Sequence, residues 1–328
     1  MKAAIYTKYG PPDFVQIRDI KKPVPLDNEV LIRIRATSVN PLDWHFMRGE
    51  PYIVRAMSGL RKPKITQLGV DVAGQVEAVG RSVTQFKPGD EVFGACRGAF
   101  AEYGCTPESS LATKPPNLTF EQAGAACVAG RTALQGLRDK GQIQVGKKVL
   151  VNGAAGGVGT FAVQIAKSFG ADVTGVCSTR NLDMVRSIGA DRAIDYTQED
   201  FAKSGQRYDI FFDCFANHSL SACRRVLSPK GIYIAVGGPS GPWMFGLLGR
   251  AVIEPVLSGL TSQKFITFMA KSNQEDLRIL GELMAAGKVT PVIDRHYRLS
   301  EVPDAIRYLE EGHARGKVVI TVENDNKT

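Results

Sequence analysis

The stretch that most constrains the fold is a glycine-rich segment between a predicted strand and a predicted helix. Lys148 to Asn152 form a short apolar run, and Gly153 to Gly159 form a glycine-rich turn. Thr160 to Phe169 then carry apolar residues at helical spacing. In this order, the backbone N–H groups and the positive end of the helix dipole are left to face a pyrophosphate. The segment therefore predicts a dinucleotide-binding site.

The match to the G-x-G-x-x-G fingerprint is imperfect, because Ala154 occupies the first of the three glycine positions, before Gly156 and Gly159. A glycine-rich turn can also join a strand to a helix with no ligand bound. The strand and helix predicted on either side supply the context that the motif requires, so we favour the cofactor site. The predicted contacts in the turn are Ala155, Gly156, Gly157 and Val158.

The remainder of the chain predicts an α/β fold of two domains. Strand-like and helical segments alternate through residues 123–264, and four of the strands are continuous apolar runs. Such runs are typical of a parallel sheet covered on both faces, so this block predicts a doubly wound Rossmann nucleotide domain. Residues 1–122 and 265–328 have a mixed, β-rich pattern, and we expect them to form one flanking domain.

Two helix starts are predicted from capping residues. Thr119 precedes an alanine-rich helical pattern over Ala123 to Leu137, and Gln122 stands at the spacing of a capping box. Ser300 is a candidate N-cap for a helix that ends near Gly312.

Composition and charge narrow the class of protein. The net charge is +8, but the lysines and arginines are scattered, so an anionic cofactor or an acidic surface explains the excess as well as nucleic acid does. We expect no nucleic-acid partner. The six cysteines contain no C-x-x-C pair, and the start MKAAIYTKYG lacks the apolar run of a signal peptide. These features favour a reduced, cytoplasmic protein.

A membrane-spanning segment is not expected, because no stretch of about 18 uncharged apolar residues occurs. The nearest candidate is Trp243 to Leu260, which Arg250, Glu254 and Pro255 interrupt. A lid, a subunit contact and a membrane-surface element remain open for this stretch.

The residues after the second strand of the Rossmann block indicate which nicotinamide cofactor is used. NAD-binding folds place an acid about 20 residues past the glycines, whereas this chain has Ser178, Thr179 and Arg180, and no acid before Asp183. Two hydroxyls and a guanidinium suit a 2′-phosphate, which favours NADPH. The alternative is an ordinary helix start with Ser178 or Thr179 as N-cap, and both interpretations can hold together.

Five segments carry a resemblance to a known family. AAGGVGTFAVQIAKSFGA, SVNPLDWHFMRG (38–49), GVDVAGQVEAVG (69–80), FKPGDEVFG (86–94) and ARGKVVI (314–320) resemble the medium-chain dehydrogenase/reductase superfamily, especially its zinc-free quinone oxidoreductase and enone reductase branch. The likeness covers nearly the whole chain. It implies a Rossmann domain inserted in a GroES-like catalytic domain, a homodimer, and hydride transfer from NADPH to quinones or to the activated C=C bond of α,β-unsaturated carbonyls.

The resemblance also implies that no metal is bound. Zinc-dependent members carry ligands in the segments that match Ser38–Asp43 and Gly69–Asp71, where this chain has Asn40 and Val70. Zinc needs converging nitrogen or sulfur ligands, and without that Lewis acid an alcohol dehydrogenase is the weaker alternative. A non-catalytic NADPH-binding protein, crystallin-like or membrane-associated and regulatory, is the other alternative.

The remaining site residues follow from the resemblance and from the edge of the predicted sheet. Asn40 is the expected active-site polar group, against the alternative of a turn asparagine before Pro41. Asp43 orients water or the nicotinamide ribose, or it is only an N-cap. The resemblance places Thr132, Tyr196 and Lys317 near the cofactor. The carboxyl ends of the later strands add Phe215, Val236 and Gly237.

Overall fold

The computed structural model describes residues 1–237, 259 and 261–322. The chain divides into two compact units. The first contains Met1–Val128, Ser272–Gly287 and Pro291–Thr328, and the second contains Ala129–Lys271 and Lys288–Thr290. The stretch Trp243 to Leu260 lies outside the described residues except for residue 259. No helix in the described part of the chain is long and apolar enough to cross a membrane.

The strands follow one another along the chain as β1 (Lys2–Ile5), β2 (Gln16–Asp19), β3 (Glu29–Val39), β4 (Asp71–Val79), β5 (Glu91–Ala95), β6 (Tyr103–Pro107), β7 (Leu111–Thr113), β8 (Lys148–Asn152), β9 (Asp172–Cys177), β10 (Arg192–Asp195), β11 (Tyr208–Asp213), β12 (Leu227–Ala235), β13 (Lys264–Thr267), β14 (Ile293–Arg298) and β15 (Lys317–Thr321).

The α-helices, in the same order, are α1 (Pro41–Arg48), α2 (Ile53–Ser58), α3 (Phe120–Gly124), α4 (Cys127–Gln135), α5 (Gly157–Ser168), α6 (Leu182–Ser187), α7 (Leu220–Val226), α8 (Gln274–Ala285) and α9 (Val302–Glu310). A π-helical turn, Gly136–Lys140, extends α4. Short 3₁₀ turns occur at Pro12–Phe14, Glu108–Ser110, Thr179–Asn181, Phe201–Lys203 and Leu299–Glu301.

The first unit is built on a mostly antiparallel sheet. Its strands run in the order β14-β15-β3-β4-β5-β7, and β6 also pairs with β3. Only the β14–β15 pair is parallel among these pairings in the described residues. Alternate residues of the strands fill the core, among them Ile32, Ile34, Val72, Val92, Val318 and Ile320. The first and last parts of the chain thus share one sheet.

The second unit contains a six-stranded parallel sheet in the order β10-β9-β8-β11-β12-β13. The inner strands are buried over most of their length, which is why they are continuous apolar runs rather than alternating ones. The strand order reverses between β8 and β11, so the carboxyl ends of these two strands mark the switch point of a doubly wound fold. The α/β architecture predicted from the sequence is confirmed.

The two capping predictions had opposite outcomes. Thr119 and Gln122 form a reciprocal capping box at the start of α3, as predicted. The prediction for Ser300 is wrong, because α9 begins at Val302 and Ser300 lies in the preceding 3₁₀ turn. An N-cap side chain needs the N–H of the second or third helical residue, and with Ser300 as the cap the third would be Pro303, which has none.

The alanine-rich pattern over residues 123–137 forms two helices instead of one. Helix α3 ends at Gly124, and α4 starts at Cys127. The N–H of Val128, which in one continuous helix would donate to the carbonyl of Gly124, donates to the carboxylate of Asp71 at 2.8 Å. A tertiary hydrogen bond thus replaces one rung of the expected helix, and local periodicity carries no sign of it.

Candidate functional site

The glycine-rich turn joins β8 to α5 through a close backbone approach. Gly153 has φ +80°, a conformation that residues with a side chain rarely adopt. A Cβ atom at Gly159 would lie 2.0 Å from the carbonyl oxygen of Gly153. The alanine in the first position of the fingerprint is accommodated by a second glycine, because Ala154 packs against Gly175, where a Cβ would lie 2.9 Å from that of Ala154.

Helix α5 begins without a side-chain cap. Its N-cap is Gly156, which makes no side-chain hydrogen bond, so the first backbone N–H groups of the helix have no intrahelical or capping acceptor. Among the described residues, a Cβ at Gly156 would meet only the carbonyl oxygen of Gly153, at 3.5 Å. Ala155 is buried, and Gly156, Gly157 and Val158 are half-buried. The cradle is therefore open on the side where the N–H groups and the helix dipole favour an anion.

The predicted 2′-phosphate residues lie at the carboxyl end of β9. Ser178 is half-buried, and Thr179 and Arg180 are exposed. The helix-start alternative holds in part: Ser178 occupies the N-cap position of the 3₁₀ turn Thr179–Asn181, but its side chain makes no cap hydrogen bond, and α6 itself starts at Leu182 with Asn181 as its N-cap residue. These polar side chains are not needed to start α6.

Sequence reasoning missed an acid beside these residues. Asp195 ends β10, and its carboxylate accepts a hydrogen bond from the Thr179 hydroxyl at 2.5 Å and others from Thr197. These bonds hold the pKa of Asp195 below its usual range. The next residue, Tyr196, exposes most of its ring at the same edge. The sequence carried no local signal for this contact, because it depends on the pairing of β10 with β9, which sets Asp195 in register with Cys177.

Four more of the predicted cofactor-binding residues also belong to the second unit. Phe215 follows β11 with its ring half exposed, and Val236 and Gly237 follow β12, half-buried. The N–H of Val236 donates to the backbone carbonyl of Asp213 at 3.0 Å, which joins the ends of the two strands. Thr132 is half-buried on α4.

In the first unit, Asn40 and Lys317 meet at a buried carboxylate that sequence reasoning did not single out. Asp71 Oδ2 accepts hydrogen bonds from Ser38 Oγ at 2.5 Å, from Asn40 Nδ2 at 2.9 Å and from Lys317 Nζ at 3.3 Å. Its other oxygen, Oδ1, accepts the N–H of Val128. We call Ser38, Asn40, Asp71 and Lys317 the Asp71 cluster; all four side chains are buried.

The Asn40 amide is held on both sides. Lys317 Nζ donates to its oxygen at 2.6 Å, and its nitrogen donates to Asp71 and, at 3.2 Å, to the carbonyl of Ser38. The ammonium group of Lys317 is itself surrounded by acceptors, including the carbonyl of Val39 at 3.4 Å. The amide orientation is thus determined by a cation on one side and an anion on the other.

Asp43 holds the segment that carries Asn40. Its Oδ2 accepts the N–H of Asn40 at 2.8 Å in a capping box at the start of α1, and its Oδ1 accepts the N–H of Gly69 at 2.9 Å. Burial raises the pKa of Asp43 to about 7, and these two N–H groups oppose the rise. The alternative that Asp43 is the N-cap is wrong, because the N-cap of α1 is Asn40 and Asp43 stands at N3, where it completes the capping box.

The raised pKa predicts a pH dependence of folding. Between about pH 4 and 7 the folded state keeps a proton on Asp43 that the unfolded state has lost, so the contribution of this group to stability is full below pH 4 and is lost as the pH rises to about 7. The expected slope approaches about 1.4 kcal/mol per pH unit. Urea unfolding of the Asp43→Asn variant should show a flatter pH dependence. Equal slopes for this variant and the wild type, with the exposed Asp13→Asn as control, would contradict the assignment.

The described residues contain no group of three or more His, Cys, Asp or Glu side chains arranged to hold a metal ion. At the two positions where the zinc-dependent relatives carry ligands, Asn40 belongs to the Asp71 cluster and Val70 is half-buried. Cys96 and Cys105 are free thiols whose pKa values burial raises to about 12 and about 11.

Comparison with known proteins agrees with this architecture. Residues 26–116 match the family model for the alcohol dehydrogenase GroES-like domain, and residues 188–320 match the model for zinc-binding dehydrogenase. The chain is 36% identical to the 2-methylene-furan-3-one reductase of Solanum lycopersicum, over 98% of this chain and 79% of the relative. The chain belongs to the medium-chain dehydrogenase/reductase superfamily.

Other members of the superfamily place the chain among its quinone and enone reductases. The chloroplast envelope quinone oxidoreductase homolog and the chloroplastic NADPH-dependent alkenal/one oxidoreductase of Arabidopsis thaliana are each 34% identical, over 98% of this chain and over 98% and 79% of their own lengths. The solved structure of the quinone oxidoreductase from Coxiella burnetii is 29% identical, with a TM-score of 0.87 over 98% of this chain and 99% of that one.

These relatives correct one expectation. The cysteine usage and the N-terminal residues predicted a cytoplasmic protein, whereas the names of the two Arabidopsis relatives place those proteins in the chloroplast. The prediction of a cytoplasmic location is therefore wrong. Its physical basis was weak, because a reducing compartment is all that the unpaired cysteines indicate.

Proposed function

We propose that this member of the superfamily is an NADPH-dependent reductase of quinones or of the activated C=C bond of α,β-unsaturated carbonyls, and that it works without zinc. The observation that carries the proposal is the likeness, over nearly the whole chain, to relatives named for the reduction of an enone and for quinone oxidoreduction. The open glycine cradle at the start of α5 fits the pyrophosphate of the nucleotide.

Bound NADPH supplies a hydride to the electron-poor carbon of the acceptor. We assign the pyrophosphate to the turn residues Ala155, Gly156, Gly157 and Val158. The adenosine half of the cofactor is proposed to contact Ser178, Thr179, Arg180 and Tyr196. The nicotinamide half is proposed to contact Thr132, Phe215, Val236 and Gly237. This division follows the switch point between β8 and β11, because a dinucleotide lies across the carboxyl ends of the strands with its halves on opposite sides.

Asn40 is proposed as the polar group of the first unit that acts on the nicotinamide and substrate, with Lys317 beside it. The amide is fixed in orientation before any ligand binds, and such pre-organisation lowers the cost of aligning the reactants. Asp43 is proposed to act through Asn40, because its carboxylate binds the Asn40 backbone N–H.

Zinc independence is supported by the charge of the Asp71 cluster. The ammonium group of Lys317 lies 2.6 Å from the Asn40 amide oxygen and 3.3 Å from the Asp71 carboxylate. A divalent cation bound by these groups would have to approach a buried positive charge, which is unfavourable. The acceptor carbonyl must then be stabilised by hydrogen bonds from the protein instead of by a Lewis acid.

The proposal is tested by following the loss of NADPH absorbance at 340 nm against a panel of acceptors. The panel contains an alkyl vinyl ketone, a 2-alkenal, an ortho-quinone, a para-quinone and a simple aldehyde, each with and without a chelator. We expect turnover on an enone or a quinone that the chelator leaves unchanged. Tight NADPH binding with no turnover on any acceptor would instead favour a non-catalytic NADPH-binding protein, and chelator-sensitive turnover of the aldehyde would favour an alcohol dehydrogenase.

Arg180→Ala tests the choice of nucleotide. Losing a charged partner of the 2′-phosphate is expected to raise KM for NADPH by about tenfold and to leave KM for NADH within twofold, since NADH lacks that phosphate. Steady-state kinetics with both nucleotides measure the ratio. The exposed Arg186→Ala variant, on α6, is the matched control and should change neither KM. Unchanged KM for NADPH with NADH still binding weakly, or equal losses for the two nucleotides, would contradict a 2′-phosphate role for Arg180.

Assembly as a homodimer remains a prediction from the family resemblance. Light scattering coupled to gel filtration should give a mass twice that of the 35.5 kDa chain. A monomeric mass at micromolar concentration would contradict it.

A further inference from the structure

A second buried carboxylate lies at the switch point of the parallel sheet. Asn152 is the last residue of β8 and Asp213 is the last residue of β11, and the two are register partners. Both are almost completely buried. A polar pair at this place is unexpected from the apolar strands that lead to it, so it calls for a reason beyond packing.

Four neutral groups in the described residues donate to Asp213. Oδ1 accepts Asn152 Nδ2 at 2.9 Å, the N–H of Phe215 at 3.0 Å and the N–H of Ala216 at 2.8 Å. Oδ2 accepts the Tyr233 hydroxyl at 2.9 Å, from the neighbouring strand β12. The carboxylate thereby joins three adjacent strands to the turn that follows β11.

The turn has a conformation that it would not adopt freely. Ala216 has φ +50°, which is uncommon for a residue other than glycine. The Ala216 N–H is one of the two turn N–H groups bound by Asp213, and Asn152 Nδ2 also donates to Asn217 Oδ1 at 3.1 Å. The buried carboxylate thus holds a strained backbone in place, an arrangement that clusters at functional sites.

The held turn places an aromatic ring on the nucleotide cradle. A Cβ at Gly153 would lie 2.6 Å from Phe215 Cδ2, so the ring lies directly against the first glycine of the turn before α5. Phe215 is nevertheless 45% exposed. Half of an aromatic face is therefore presented at the carboxyl edge, on the β11 side of the switch point.

We propose that Asp213 is a positioning residue: through the two turn N–H groups it fixes Phe215 against Gly153, and so shapes the site for the pyrophosphate and nicotinamide half of the cofactor. The inference rests on the proposed function. If Asp213 acts in this way, the affinity for the adenosine half of the cofactor should not depend on Asp213, since that half binds on the β9 side of the sheet.

The test compares the Kd of NADPH with the Kd of 2′,5′-ADP, which carries only the adenosine half. Asp213→Ala is expected to raise the Kd of NADPH by about tenfold and to leave the Kd of 2′,5′-ADP within twofold of the wild-type value. Asp213→Asn keeps an oxygen acceptor for the turn N–H groups, so it should restore NADPH affinity to within about threefold of the wild type. Phe215→Ala should reproduce the selective loss, and combining it with Asp213→Ala should add little.

Equal weakening of NADPH and 2′,5′-ADP by Asp213→Ala, or unchanged NADPH affinity, would overturn the inference while the wild type still binds and oxidises NADPH. If that variant does not fold, Asn152→Ala takes its place, because it removes one donor to Asp213 and leaves the carboxylate. Asn152→Ala should weaken the binding of NADPH, by less than Asp213→Ala would, and leave the binding of 2′,5′-ADP unchanged. An equal loss of affinity for both ligands would count against the proposal. A wild-type chain that binds 2′,5′-ADP but not NADPH would overturn both this inference and the proposed function.

Discussion

Replacement of Asp71 by alanine is expected to lower the free energy of unfolding by about 3–5 kcal/mol. The change removes the acceptor of Ser38, Asn40, Lys317 and the Val128 N–H together, and it leaves the Lys317 ammonium buried without its anion. Uncompensated charge in a site that water does not reach is the main cost. Urea-induced unfolding of the wild type and the variant at pH 7 measures the difference.

Two further variants distinguish this cause from a general effect of substitution. Glu77→Ala removes the partner of Lys22 in a surface ion pair, and it should cost about 1 kcal/mol or less because both groups remain hydrated. Asp71→Ala combined with Lys317→Met should be less destabilising than Asp71→Ala alone, since it removes the stranded charge as well. An Asp71→Ala loss no larger than that of Glu77→Ala would show that the cluster contributes little to stability.

Gly159→Ala is expected to raise the Kd of NADPH by more than about tenfold and to lower the free energy of unfolding by about 2–4 kcal/mol. The new methyl group would lie 2.0 Å from the carbonyl oxygen of Gly153 and 2.9 Å from Ala154 Cα, and both are backbone atoms that cannot rotate away. The turn has to open, and the cradle changes shape with it. Equilibrium unfolding and fluorescence titration with NADPH measure the two effects.

Gly156→Ala is the matched comparison within the same turn. Within the described part of the chain its Cβ would meet only the Gly153 carbonyl oxygen, at 3.5 Å, and the φ of −83° is ordinary for alanine. The free energy of unfolding should therefore stay within about 0.5 kcal/mol of the wild type. The methyl group would occupy space at the open start of α5, so NADPH should bind about tenfold more weakly. Unchanged affinity in Gly156→Ala would mean that the pyrophosphate does not approach this residue.

Local sequence was sufficient for the framework of the second unit. The predicted strand Lys148–Asn152 has the same limits as β8, because a continuous apolar run and the glycine that follows it are local signals. The capping box of Thr119 and Gln122 was equally local. Predictions of this kind depend on neighbours within about four residues, and the physics that sets them acts over the same distance.

The contacts of individual side chains could not be predicted from local sequence. Asn40 and Lys317 were each singled out through the family resemblance, 277 positions apart, but nothing in either segment indicated that they touch. The same holds for Thr179 with Asp195, where an acid 16 positions away in the chain reaches the proposed phosphate residues. The break between α3 and α4 was missed as well, and the hydrogen bond at the start of α4, from the Val128 N–H, goes to the distant carboxylate of Asp71.

The sequence by itself determined the α/β class, the glycine cradle and membership in a reductase superfamily, since these depend on periodicity, turn chemistry and matched segments. Only the tertiary structure decided which polar side chains meet. Strand pairing sets those meetings: β3, β4 and β15 bring Ser38, Asp71 and Lys317 to one place, and β8, β11 and β12 bring Asn152, Asp213 and Tyr233 to another. Register between strands far apart in the chain is settled by burial of whole faces, and no local pattern records it.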